Sequence, residues 1–517
     1  MKRFIFISIL FALMVYTVIS CKPKASNNVT PADGNFPAEI ANIFISKCAT
    51  TGCHNAASSA AGLTLDSWEH LFQGDGQGAV VVPYCTQYSL LLYRVNTDSS
   101  LGTIVLPIQP PTISTSNPAT PLSKSEYMTL YNWIASGAPD KYGNIPFASD
   151  PDTRQKIYLT EQGCDLVSVI DAKSMVIMRY IQVGIYPGLT EAPHCIAMSD
   201  DGMSAYVGFY AGPGIQKIDT RSDTVVGTVN MSNSGVPGGG SWGIAIASPD
   251  NSGVALTNFQ STGGLELLNT SPTSFKHKSY YSNGLGFAYL HGIESNPTWD
   301  TFYMTGQYGN VIYKFFPAVL QIGNNPVKQI SVDANPPLAT DSNNSKPNPH
   351  EIQMVPDDSR YFVTCQGTND VRVMDAYADT LIKVIPVGSY PQEMAMSGNP
   401  ATPYIFVCCM GDASNPGAGE GNIGSVYVLD YNTYQVVSII YGDFALPHDL
   451  AVDDQDGLLY VVSTNSDPNG PKPHHVTACG GRAGWYSVYK FGPNYFVPAN
   501  KNRYQTTVFP YSIDPRF

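Results

Sequence analysis

From about residue 154 to the end, apolar positions come in short runs broken by polar turns, a pattern that predicts β-strands rather than helices. One unit reads Pro349-His350-Glu351-Ile352-Gln353-Met354, then Tyr361-Phe362-Val363-Thr364, then Val371-Arg372-Val373-Met374-Asp375, then Leu381 through Gly388. Its opening recurs at Pro193-His194-Cys195-Ile196 and Pro447-His448-Asp449-Leu450. Weaker copies stand at Ser241-Trp242-Gly243-Ile244, Leu290-His291-Gly292-Ile293 and Pro391-Gln392-Glu393-Met394. Successive copies are 42 to 59 residues apart, the length of a four-stranded propeller blade. A seventh unit is split. Ile157-Tyr158-Leu159, Leu166 through Asp171 and Val176 through Gly184 supply three outer strands, and Pro510-Tyr511-Ser512-Ile513-Asp514-Pro515 reads as the missing inner one. The expectation is a seven-bladed β-propeller over residues 154–517, closed by its C-terminal strand, which would hide an otherwise open sheet edge.

The N-terminal part has a different rhythm. Ile40, Ile43 and Phe44 fall at helical spacing after Pro37, and a second helix is framed by a capping box at Ser123 and Glu126 and a stop at Gly137. Lys2 and Arg3 followed by the apolar run Phe4–Ser20 read as a targeting segment. The expected division is a signal peptide over 1–20, a polar tether over 21–36, a small all-α domain over 37–140, a polar joint over 141–153 containing Pro146 and Pro151, and the all-β propeller.

Only 13% of the 517 residues are charged, whereas Gly (46), Pro (39) and Tyr (32) are abundant, which suits a turn-rich β protein. The net charge of −13 argues against nucleic acid as a partner and favours a basic or neutral redox partner protein.

The chemistry concentrates in Cys48-Ala49-Thr50-Thr51-Gly52-Cys53-His54. Each thiol can form a thioether to a haem vinyl group, and the adjacent imidazole can bind the iron. The usual spacing is Cys-x-x-Cys-His, and here four residues separate the cysteines. A disulfide, or two unrelated cysteines, is the plainer reading. The flanks decide for haem: Gly62-Leu63-Thr64-Leu65-Asp66-Ser67-Trp68-Glu69, Val80-Val81-Val82-Pro83, Ser89-Leu90-Leu91-Leu92, and Pro121 through Pro139. In this order they resemble the small cytochrome c domain of bacterial surface proteins. The resemblance implies one covalent haem c on Cys48 and Cys53, with His54 as proximal ligand. That family usually offers a methionine before a proline pair on the distal side, and here the stretch reads Leu106-Pro107-Ile108-Gln109-Pro110-Pro111. Met128, in the last helix, is a poor substitute. His70 is the remaining candidate for the distal ligand, and an open distal position is the alternative. Val18-Ile19-Ser20-Cys21 resembles a bacterial lipobox, which implies a lipid on Cys21 and a membrane-anchored lipoprotein facing the periplasm or the cell exterior.

The repeats resemble the YVTN-type family of seven-bladed propellers, related to the propeller of nitrous oxide reductase. In register, His194, Trp242, His291, His350, Gln392, His448 and Tyr511 share one position at the mouth of the central channel. Four imidazoles there (His194, His291, His350, His448) are candidate ligands of a second, transition-metal ion. A structural role in the funnel is the plainer alternative, and the incomplete ring and the absence of a cupredoxin segment argue against a full copper cluster. Pro473-His474-His475 and Cys479 lie in a long insertion of the sixth repeat, and Cys479 could pair with Cys164. Cys408 and Cys409 should face opposite sides of one strand, as core and rim residues, and Cys85 could bridge to the propeller or stay free. The functional expectation is a haem c electron-transfer lipoprotein whose propeller docks a partner. The alternative is an oxidoreductase with a metal or substrate site in the propeller funnel, fed by the haem.

Overall fold

In the computed structural model, seven antiparallel sheets follow one another around an axis, six of four strands and one with a short fifth strand, Tyr504–Gln505, paired to Trp485–Gly492. The structure describes residues 32–111, 120–232, 240–271, 274–282, 284–320, 324–334, 338–339, 347–416, 423–464, 484–500 and 503–516. The inner strands of six blades are Pro193–Met198, Trp242–Ala247, Leu290–Ser295, Pro349–Met354, Ser389–Met396 and Pro447–Asp453. The inner strand of the seventh is Pro510–Arg516, paired antiparallel with Lys156–Glu161 from the start of the domain. The ring is therefore shut by backbone hydrogen bonds between its two chain ends, and no blade is left with an open inner edge.

Burial follows strand position. Second strands such as Leu458–Ser463 are buried along their whole length, because both sheet faces meet a neighbouring blade. The outermost strand Thr224–Asn230 alternates between partly buried and exposed positions, as a solvated edge should. Alternate residues of one strand feed two different cores. Tyr404, Phe406 and Cys408 pack toward one neighbouring blade, and Ile405, Val407 and Cys409 toward the other. Cys408 and Cys409 do face opposite ways, but both are fully buried, so the rim position expected for one of them is corrected: each face of the strand is core.

Among the described residues the N-terminal unit has four α-helices: α1 (Ala38–Ile43), α2 (Trp68–Leu71), α3 (Leu90–Val95) and α4 (Lys124–Ala135). α1 runs on into a π-helical turn over Phe44–Cys48, and α4 carries the capping box between Ser123 and Glu126. The rings of Phe36, Phe44 and Trp133 meet edge-on at 5.0 to 6.3 Å and anchor α1 against α4. Helices order this unit without filling it. Three of the four span six residues or fewer, and turns carry the rest, so the expected all-α domain is in fact a loop-rich one. It also begins earlier than residue 37. Phe36 is in its core, and Asp33 pairs with Lys141 at 2.9 Å.

The joint after α4 is packed rather than loose. Phe147 touches the core of the N-terminal unit and two inter-blade cores, and Arg179 donates to the Pro146 carbonyl at 2.9 Å. Val82 is buried among propeller residues, Gln505 N donates to the Gln77 carbonyl at 2.8 Å, and the rings of Tyr88 and Tyr180 lie 5.1 Å apart. Among the described residues no helix is long and apolar enough to cross a membrane.

Candidate functional site

Cys48, Cys53 and His54 line one cavity of about 560 Å³ in the N-terminal unit, within the range of pockets that hold cofactor-sized ligands. The π-helical turn delivers Cys48, which is buried, and burial pushes its thiol up to about 12. A tight turn then absorbs the two extra residues of the motif. Cys53 N donates to Thr50 O at 3.0 Å, and Gly52 between them adopts φ +81°, a conformation open to glycine without strain. His54 N returns to Cys48 O at 3.1 Å, which sets both cysteines and the imidazole on one wall. Neither cysteine is in a disulfide.

The imidazole is oriented. His54 Nδ1 lies 3.3 Å from the Leu63 carbonyl. With the proton on Nδ1, that bond leaves the Nε2 lone pair for a metal. The walls are apolar, from Leu63, Leu65, Val80, Leu91 and Val95, with Pro107, Pro110 and Pro111 on the lining too. Gln109 N donates to Arg94 O at 2.7 Å and pins this proline segment to the end of α3. Lys47, Asp75, Gln77, Arg94 and Gln109 are the polar side chains of the lining. The donor set, the apolar walls and the cavity size fit a covalently held haem.

His70 lies elsewhere. It lies inside the short helix α2 and donates its backbone N–H to the capping Ser67 Oγ at 3.2 Å, its Nδ1 is 2.6 Å from Asp66 Oδ1, and it lines a separate polar cleft of about 200 Å³ rather than the large cavity. Met128 packs against the core of the unit and is likewise absent from the cavity lining. Cys21 and the segment His474, His475 and Cys479 lie outside the described residues. Cys164 is disulfide-bonded. Cys85 is not in a disulfide and packs at the contact with the propeller.

A second constellation occupies the propeller axis. His194, His291, His350 and His448 are all at most 2% exposed and come together around it. The rings of His291 and His350 are 3.9 Å apart, those of His194 and His291 5.7 Å, and those of His350 and His448 6.4 Å. Tyr511 of the closing strand completes this side, 3.7 Å from the His448 ring and 4.5 Å from that of His194. The local cause repeats in every blade. The residue two before each ring position has a left-handed backbone: Ala192, Gly240, Tyr289, Asn348, Tyr390, Leu446 and Phe509, with φ between +50° and +111°. For bulky residues such as Tyr, Leu and Phe this conformation costs on the order of 1–3 kcal/mol and persists only where surrounding structure imposes it. In each blade the register then shifts in a bulge at or beside the ring position. Bulges re-aim side chains.

The bulge brings a second residue type to the axis. Glu351, Glu393 and Asp449 directly follow three consecutive ring positions and are all buried. Glu393 Oε1 lies 3.7 Å from His350 Nδ1, and His291, His350 and Glu393 offer ligand atoms all within 4.8 Å of one another. Burial pushes the carboxyls of Glu351, Glu393 and Asp449 upward. The sequence carried the signal for these acids: Pro-His-Glu, Pro-Gln-Glu and Pro-His-Asp stand in three successive repeats. Strand alternation, however, assigns a residue next to a ring position to the opposite face.

Residues 51–103 match the family model described as "Planctomycete cytochrome C", a span that includes Cys53 and His54 and about a tenth of the chain. The match gives the N-terminal unit a cytochrome c character, which implies haem binding and agrees with a location outside the cytoplasm. No curated protein matches the chain. Among solved structures, hydrazine synthase of Kuenenia stuttgartiensis is similar at 17% identity, over 54% of this chain and 75% of that one, with a TM-score of 0.41. A protein from Lactobacillus plantarum is similar at 10% identity, over 70% of this chain and 99% of that one, with a TM-score of 0.47. Both scores are too low to carry a functional argument.

Proposed function

We propose that this chain is an extracytoplasmic electron-transfer protein with one covalent haem c, anchored to a membrane by a lipid on Cys21, whose propeller serves as a docking platform for a redox partner protein. The observation that carries the reading is the convergence of Cys48, Cys53 and a carbonyl-oriented His54 on one apolar cavity. Haem supplies one-electron chemistry there. Cys48 and Cys53 fix its edge, His54 offers Nε2 to the iron, and the leucine and valine walls exclude water. Arg94 on the lining suits a carboxylate by charge and fork geometry, while Lys47 beside it is already paired with Glu126 at 2.6 Å. With no methionine among the described residues of the lining, the redox potential should lie below that of carriers with an axial methionine. The net charge of −13 favours a basic partner surface.

The test is the visible spectrum, denatured mass and metal content of the purified chain starting after Cys21. One iron per chain, a mass increased by one haem and a reducible low-spin spectrum are expected. A chain that carries no haem through denaturation would overturn the reading. A second reading, an oxidoreductase whose reactive site is in the propeller funnel, is favoured by one observation, the buried group of His291, His350 and Glu393.

A further inference from the structure

We infer that the propeller axis is a mononuclear binding site for a divalent first-row transition-metal ion, held by His291, His350 and Glu393. The inference sharpens the second reading above and does not depend on the haem.

The first argument is charge. Glu351, Glu393 and Asp449 come from consecutive blades into one buried region, and among the described residues the ion pairs of these three run only from Glu393 to His350, with no Lys or Arg. Buried carboxylates without a cation or donors are costly. Asp449 is provided for: it accepts from Leu450 N at 2.7 Å and from Ile513 N at 2.9 Å. Glu393 is not. It is 4% exposed, neither of its oxygens receives an N–H or hydroxyl, and its carboxyl stands against that of Glu351, a contact that is a hydrogen bond only with a proton on one of the two. A proton of their own or a bound cation can relieve that pair, and the two imidazoles beside Glu393 select the cation.

The second argument is ligand type and number. Two imidazoles and one carboxylate suit zinc, copper or iron(II), whereas calcium and magnesium prefer oxygen-only shells. Tetrahedral ligation at about 2.1 Å puts donors roughly 3.4 Å apart, so binding draws the three side chains inward from their present 4.8 Å limit. The backbone behind them is stiff. Thr305 Oγ1 donates to the His350 carbonyl at 2.8 Å, and Thr257 Oγ1 donates to that of His291. Three protein ligands leave a coordination position over, the arrangement of zinc sites that do chemistry rather than hold structure. His194 and His448 stand next to the pair of ligand histidines.

The test uses the full haem-loaded chain, stripped with a chelator and titrated with zinc chloride, read by calorimetry and by elemental analysis after gel filtration. One zinc per chain is expected in addition to the haem iron. Glu393→Gln keeps the shape and removes the charge, and His350→Ala removes a ligand; each should weaken zinc binding roughly 100-fold or more while far-UV circular dichroism stays unchanged. If His350→Ala does not fold, Glu393→Gln carries the test alone. Absence of stoichiometric zinc at micromolar concentration, or zinc bound equally well by Glu393→Gln, would overturn the site. Haem content is read separately in the same samples, so loss of haem and loss of the metal site are distinguishable.

Discussion

The haem cavity and the propeller axis are both buried and histidine-bearing, yet they solve opposite problems. The cavity is apolar, with one imidazole already steered by the Leu63 carbonyl and two thiols beside it placed for thioether bonds to haem vinyl groups. The axis is narrow and polar and brings four imidazoles and three carboxylates together. On the proposed function, one site would hold a large flat group by apolar fit and thioether bonds. The other concentrates charge, which only a small cation or protons can balance. Away from the cavity, Tyr88 of the N-terminal unit packs on the propeller cluster containing Val508, Phe509 and Tyr511, the last of these in contact with His448.

The comparison breaks most completely at the thiols. Replacing Cys48 and Cys53 together with Ala should abolish covalent haem, checked by mass and spectrum after denaturation, and leave the propeller folded. Deleting residues 510–517 should do the reverse. Removing the inner strand of the closing blade exposes the edge of Lys156–Glu161, a loss comparable with the about 5–15 kcal/mol that holds a typical domain. Rapid proteolysis of the propeller is the expected result.

A smaller and reversible effect comes from pH. Burial pushes the carboxyls of Glu161 and Asp514, both in the closing blade, to about 7, above the 4.5 and 3.8 of exposed groups. Between those values the folded chain holds protons that the unfolded chain has lost. Their contribution is fully present below about pH 4 and disappears as pH rises through 7, by about 3 kcal/mol for Glu161. Urea midpoints at pH 4.5 and 7.5 check it: Glu161→Gln should lose less stability over this range than the parent chain. At Gly292 an added Cβ would sit 2.7 Å from the His350 carbonyl oxygen. Gly292→Ala should therefore cost roughly 1–3 kcal/mol by overpacking at the axis and leave the haem spectrum unchanged. The smallest effect belongs to His70→Ala. Its ion pair with Asp66 is partly exposed, so at most about 1 kcal/mol is at stake, and an unaltered spectrum would exclude it as a ligand.

Much of this was legible in the chain because the signals are periodic or local. Seven recurrences of one strand opening announced the blades, and the run from Cys48 to His54 announced the cavity. Ring closure was legible because three outer strands near residue 157 lacked an inner partner and Pro510–Pro515 lacked outer ones. What strand periodicity could not supply was the bulge. Read as regular strands, His350 and Glu351 point to opposite faces, and Glu393 belongs in a wall. Only the left-handed residue two positions earlier, such as Asn348 or Tyr390, and the register slip that follows bring the acids to the axis. That geometry has no residue signature, since Ala, Gly, Tyr, Asn, Leu and Phe all occupy the left-handed position. The role of the Leu63 carbonyl was hidden for a related reason: backbone acceptors leave no trace in composition.

The strand Pro510–Arg516 also sets an order of events in the life of the chain. A polypeptide that leaves the cytoplasm N-terminus first presents Cys48 about 460 residues before Pro510. Through that interval the thiols and His54 are outside while the ring still gapes, its first blade lacking its innermost strand. On the proposed export and haem attachment, loading at Cys48 and Cys53 would precede closure of the ring, because the first blade gains its innermost strand only when Pro510–Arg516 has followed.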